Sequence, residues 1–373
     1  MSNLRLAFRN LLKTPFVTSV AILSVAVGIG ANSAIFSIFN QTLLRPLPVY
    51  EPGRLVNFDS PGQRSGATSC GQAGPCDQVF SYPMFRDLER EQTVFTGIAA
   101  HNTFGASLSW QGQSDGGGEA VLVSGSYFPV LGLQPAIGRL LSHEDDRDKP
   151  GNYVVVLSHD YWVRRFGGRT DVLNQALTVN GTALTVVGVA PRGFQGTTLG
   201  VRPLAYVPIS LREVLVPRWK GLDNRRSYWA YLFARVKPGV PVEQARASIN
   251  GQFRTIMQNV DVPLQKGMSP ATLERFRARE LNLVPGARGQ SELHTEAREP
   301  LTLLFGVTAI VLLICCANIA NLLLVRGASR STEMACRLEP RAGTSSVSCS
   351  SSPASSAFWG APAACSSRAG RCL

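Results

Sequence analysis

The chain has 373 residues, 45% of them hydrophobic and 17% charged, with a formal net charge of +12. That apolar share is ordinary for a globular protein and speaks against a chain made mostly of membrane helices. The positive charge forms no Lys/Arg block, zinc-finger spacing or aromatic–basic stripe, so no nucleic-acid partner is expected.

Residues 1–15 pattern as an amphipathic helix. Leu4, Phe8, Leu11 and Leu12 share one face, and Arg5, Arg9 and Lys13 are spaced four apart on another. That is the pattern of a helix lying on a membrane surface, here the cytoplasmic one. No charge occurs from Thr14 to Leu44, and a helix needs about 20 mostly apolar residues to cross a bilayer. A first transmembrane helix is therefore expected over residues 16–40. Gly28 and Gly30 are small enough to let a neighbouring helix approach. The other reading is a cleaved signal peptide ending near Ala31-Asn32-Ser33-Ala34; the apolar run continues well past that point, which favours an uncleaved anchor.

Residues 45–299 read as a mixed α+β domain inserted between two membrane helices. Asn180-Gly181 between β-branched runs predicts a type I′ hairpin, since both central residues need positive φ. Strands are expected at Tyr153–Leu157, Leu204–Ile209 and Trp229–Val236. Helices are expected at Ser158–Phe166, ending at Gly167-Gly168, and at Val242–Val260. The Gly/Ser-rich stretches 60–76 and 111–119 read as loops. Cys70 and Cys76 fall in the first, as candidates for a local disulfide in an oxidising compartment or as free thiols.

A second uncharged run extends from Pro300 to Val325, giving a second transmembrane helix over 300–325. Asn318 and Asn321 share a helical face and read as glue between membrane helices. Arg326, Arg330 and Arg337 follow this run as Arg5, Arg9 and Lys13 precede the first. Excess Lys and Arg mark the cytoplasmic side. Both termini are thus expected in the cytoplasm of a bacterial inner membrane, with the large domain outside.

Catalytic signatures are missing. None of the five lysines follows a glycine, so the chain lacks a P-loop; it also has no H-E-x-x-H and no C-x-x-C. Gly112-Gln-Ser-Asp-Gly116 has the letters of a nucleophile elbow but not its strand–helix context. His143-Glu-Asp-Asp reads as a solvated loop rather than a metal site. No catalytic residue, cofactor or metal is expected, and the chain is not expected to be an enzyme.

Several blocks together resemble the MacB/FtsX type of ABC transporter permease, especially orphan permeases that occur as duplicated halves. Leu11-Leu-Lys-Thr-Pro-Phe with Val25-Ala-Val-Gly-Ile-Gly-Ala-Asn looks like their first membrane helix. Val123-Ser-Gly-Ser-Tyr-Phe-Pro-Val-Leu-Gly-Leu-Gln-Pro-Ala-Ile-Gly-Arg-Leu, Val155–Gly168 and Leu177–Pro191 are similar to successive blocks of the MacB-like periplasmic core domain. Ala317–Ala335 looks like the opening of an FtsX-like permease domain. The resemblance implies a separate cytoplasmic ATPase partner, a homodimer or second permease half, and a periplasmic adaptor. It implies that residues 326–338, with Arg326, Arg330, Glu333 and Arg337, form the coupling contact with the ATPase; a solvated, salt-bridged helix end has the same spacing. After Leu338 the pattern stops. Residues 339–373 are rich in Ser, Ala, Pro, Arg and Cys, a composition expected to be disordered and suggestive of an out-of-frame tail on a truncated permease. The other functional class left open is a membrane-anchored periplasmic binding or signalling module without transport.

Overall fold

The computed structural model describes residues 15–40, 45–147, 152–218, 220–292 and 298–338. The amphipathic segment ahead of Pro15 and the tail after Leu338 lie outside them. In chain order the elements are α1 (Pro15–Phe39), β1 (Leu55–Asp59), β2 (Ala67–Thr68), β3 (Val79–Phe80), α2 (Tyr82–Glu91), β4 (Phe95–Trp110), β5 (Gln113–Val123), α3 (Tyr127–Leu131) and β6 (Ile137–Gly138). They continue with β7 (Val154–Leu157), α4 (His159–Phe166), β8 (Ala176–Val179), β9 (Thr182–Val189), β10 (Pro203–Pro208), α5 (Arg212–Leu215), β11 (Ser227–Tyr228) and β12 (Ala230–Val236). The last are α6 (Val242–Ile256), α7 (Pro270–Arg277), β13 (Asn282–Pro285) and α8 (Arg298–Leu338). The chain divides into a unit through Cys316 and a second from Ala317, which holds the last turns of α8.

A mixed sheet runs in the order β13-β1-β12-β4-β5-β10-β7-β9-β6, with β3 added on β12 and β8 on β4 and β9. Every residue of β12 is buried, as a strand covered on both faces requires. Alternation sends Leu232 and Ala234 into one apolar cluster with Phe58, Phe85 and Phe253, while Phe233 points the other way, toward Tyr127, Phe128 and Tyr206.

Local chemistry explains where elements begin and end. Ser158 caps α4 by accepting a hydrogen bond from Tyr161 N, and Gly167 at φ 60° closes it. Asn180 and Gly181 have φ 47° and 83°, the two positive values a type I′ turn needs. The expected helix at Val242–Val260 is regular only to Ile256; a π-helical turn over Met257–Asp261 follows it.

One expectation is overturned. Residues 113–119, read as part of a Gly-rich loop, are the first half of β5. They pair across β4, with Gly105 opposite Glu119 and Ser107 opposite Gly117. The sheet supplies the order that local composition withholds, because both partners' backbone groups are satisfied across the ladder.

Among the described residues one helix carries a stretch long and apolar enough to cross a membrane, Glu299–Asn321. In α1 the apolar stretch found is shorter, Ile22–Ser37.

Candidate functional site

Two linkers join the α+β domain to its flanking helices, and they meet. Leu47 N–H donates to Ala287 O at 2.9 Å, and Gly286 N–H donates to Leu55 O at 2.8 Å. The strands they lead into, β1 and β13, are antiparallel neighbours, with Val56 opposite Pro285 and Asp59 opposite Asn282. Buried Asn57 fixes the outgoing linker by donating its amide to Gly289 O at 2.8 Å. A Cβ at Gly286 would lie 2.9 Å from Asn57 Oδ1 and 3.0 Å from the Leu55 and Val56 backbone, so a larger residue would have to push the linker outward.

The outgoing linker is then pinned to the sheet centre through Gln290. Its Oε1 lies 2.8 Å from His101 Nε2, its amide donates to Leu232 O at 3.2 Å, and its backbone N–H donates to Thr197 O at 2.8 Å. Because the amide nitrogen donates to Leu232, Oε1 accepts, and His101 carries its proton on Nε2. Tyr231 stacks on the imidazole with centroids 5.8 Å apart. Burial disfavours the charged ring and drives the His101 pKa down to about 4.

The block Val123–Leu140 holds loops together. Ser124 Oγ accepts from Ala100 N–H at 2.9 Å and meets Ser126 Oγ at 2.8 Å. Arg139 binds Asp145 through two contacts, 2.6 and 2.8 Å. Asp146 accepts from Ser210 N–H at 3.1 Å and Gly125 N–H at 3.4 Å. Its burial outweighs these bonds and raises its pKa to about 6.

Cys70 and Cys76 are joined in a disulfide with Cα atoms 5.1 Å apart. The loop is clamped by Arg64, whose guanidinium donates to the carbonyls of Ser60, Cys76 and Asp77 at 2.9, 2.8 and 2.6 Å. Burial, with Arg279 nearby, lowers the Arg64 pKa to about 10.

At the helices, a Cβ on Gly28 would lie 3.0 Å from Leu312 Cδ1, whereas Gly30 has nothing within 4 Å. Asn321 is exposed, and the side chain of Asn318 is not among those described. The same holds for the side chains of Arg326, Arg330, Glu333 and Arg337, whose backbone continues α8 without a break. The residue that sequence reading missed is Asn32. Its amide donates to Gly28 O at 3.0 Å and across to Thr308 O of α8 at 3.2 Å. Its position in an apolar run was the available signal, since an amide there is expected to find a partner. Cys315 and Cys316 are free thiols. Among the described residues no group of three or more His, Cys, Asp or Glu could hold a metal ion.

The family model of the MacB-like periplasmic core domain matches residues 18–252. The chain belongs to that family. The MacB-like match begins inside α1 and ends inside α6, so β13 and α8 lie beyond it. The chain is thus a MacB/FtsX-type protein carrying the periplasmic domain of the ABC transporter permease family. Solved structures similar to this MacB-like chain include the periplasmic region of MacB from Actinobacillus actinomycetemcomitans, at 14% identity over 62% of this chain and 89% of that one, with a TM-score of 0.43. Another is the extracellular domain of the ABC-type transporter YknZ from Gram-positive bacteria, at 12% identity over 55% of this chain and 94% of that one, with a TM-score of 0.38. Comparison with curated proteins found no match.

Proposed function

We propose that the chain is the membrane subunit of an ABC-type export or mechanotransmission complex, coupling a separate cytoplasmic ATPase to movement of the external domain. The observation that supports this reading is the convergence of both linkers on adjacent strands, through the Leu47–Ala287 bond. A relative displacement of two helices would then act on β1 and β13 together and pass into β12. In this reading α1 and α8 both cross the inner membrane and both ends are cytoplasmic. Arg326, Arg330, Glu333 and Arg337 face the ATPase, and a second permease copy and a periplasmic adaptor complete the assembly. In this reading the stretch after Leu338 is an out-of-frame tail; resequencing that finds one intact frame with no homologous downstream sequence would remove this element.

Topology is tested with single cysteines at Ser2, Gln244 and Ser331, keeping the Cys70–Cys76 pair and replacing the other cysteines. An impermeant maleimide applied to intact cells should label only the Gln244 position. Coupling is tested by reconstituting the chain with a candidate ABC ATPase. ATP turnover should change on adding the chain and return to basal with Arg330→Glu and Arg337→Glu. Labelling at Ser331 would sink the topology, and unchanged turnover with every ATPase encoded beside the gene would sink the coupling.

A further inference from the structure

The hairpin joining β4 and β5 ends in a cleft far from the linkers. Gly97 of β4 lies opposite Arg235, which also pairs with Leu55 at the linker end of β1. From Gly97 to Trp110 the strand runs about 40 Å. At that far end a cleft of about 420 Å³ opens between the hairpin tip and α4, a size typical of small-ligand sites.

Its aromatic part is Trp110 and Phe166, both half-buried, with ring centroids 4.9 Å apart. Three glutamines, Gln111, Gln113 and Gln175, line it and are exposed. Each planar amide can donate and accept at once. Two arginines also line the cleft, and both are neutralised. Arg165 Nε lies 2.6 Å from Asp115 Oδ1, with Nη2 donating to Gln113 Oε1 at 3.2 Å. Arg169 Nε donates to Asp171 Oδ1 at 3.1 Å. The Tyr161 hydroxyl donates to Asp115, and Trp162 Nε1 donates to Arg169 O at 2.7 Å.

Gln111 adds an independent sign. It stands at φ 48° ahead of Gly112 at φ 79°, in a turn whose first position suits Asn or Gly. A longer side chain there costs about 1 kcal/mol, and strain of this kind gathers at functional positions.

We infer that this cleft is a binding site for a neutral saccharide. The half-exposed, edge-to-face pair of rings offers apolar surface for the C–H groups of a sugar, and amides with paired ions suit its ring of hydroxyls, which both donate and accept. Each guanidinium faces a carboxylate, so the cleft carries little net charge to draw an anion such as phosphate. The site goes beyond the proposed transport role and stands whether or not that role holds.

The test is calorimetric titration of the full chain in lipid nanodiscs, free of sugar detergents, with chitotriose and with maltotriose. At least one should bind the wild type, with inorganic phosphate failing to displace it; a preference for chitotriose would add an acetamido group to the recognised chemistry. Trp110→Ala should weaken binding about tenfold. Gln111→Gly should also weaken it while leaving the melting temperature equal or higher, because it relieves the positive φ. That opposition separates a ligand contact from a folding role, and it decides the matter if Trp110→Ala fails to fold. Absence of heat up to about 10 mM of either sugar, displacement by phosphate, or wild-type binding by Gln111→Gly would overturn the inference.

Discussion

Acid should expose the cost of keeping His101 neutral. Its pKa is held at about 4 by burial, against 6.5 for a free imidazole. Between those values the unfolded chain takes up a proton that the folded chain refuses. This contribution to stability is therefore intact above pH 6.5 and is lost as the pH falls. Linkage puts the loss at about 2 kcal/mol by pH 5 and about 3 kcal/mol by pH 4. Replacing the imidazole by His101→Gln keeps a donor facing Gln290 but removes the titration. At pH 7 the variant should be less stable by about 1–3 kcal/mol, since a buried ring among Tyr127, Tyr231 and Phe233 is packed less well. By pH 5 about 2 kcal/mol of that gap should have closed. Urea unfolding of the full chain in nanodiscs, followed by tryptophan fluorescence at several pH values, reads the difference. Comparing variant with wild type cancels the carboxylates common to both. A gap that stays constant from pH 7 to pH 4 would refute a neutral, depressed His101.

Asp146 should show the opposite sign: its folded pKa of about 6 lies above the free value of 3.8, so the native state takes up the extra proton. Wild type should gain about 1 kcal/mol over Asp146→Asn between pH 7 and pH 5 in the same assay. Gly188→Ala should be severe, costing about 3 kcal/mol or more, because its Cβ would sit 2.0 Å from Arg139 O where β6 meets β9; a thermal melt checks it. A Cβ on Gly28 would lie 4.0 Å from Leu312 Cβ, within disulfide range. Gly28→Cys with Leu312→Cys should therefore cross-link in a background lacking Cys315 and Cys316. Asn32→Ala should lower the yield by loosening α1 from α8, at about 0.6 kcal/mol.

Elements with a local cause are legible in the sequence. The β8–β9 hairpin is dictated by Asn180-Gly181, α4 by its Ser158 cap and Gly167 stop, and β12 by an apolar run ending at Pro238-Gly239. The expected strands at 153–157 and 204–209 lie within a residue of β7 and β10. What escaped notice depends on partners far along the chain. β5 opens with Gln113-Ser-Asp-Gly-Gly-Gly, whose local preference is for turns, and this half is a strand only because it pairs along β4; β10 joins from Glu119 onward. α2 has a cap, Ser81 accepting from Met84 N–H, but its apolar face is too short to stand out as a helical period. The same holds for the Gln290–His101 pair: nothing in either neighbourhood marks two residues so far apart as partners. The distal cleft needed the hairpin tip and α4 brought together, and only the flanking strands do that.

The bond between Leu47 and Ala287 has a consequence for how such proteins diversify. Since the α+β domain is entered and left at one point, it behaves as a cassette. It can be lengthened, exchanged or grafted onto another pair of helices without altering the spacing those helices require.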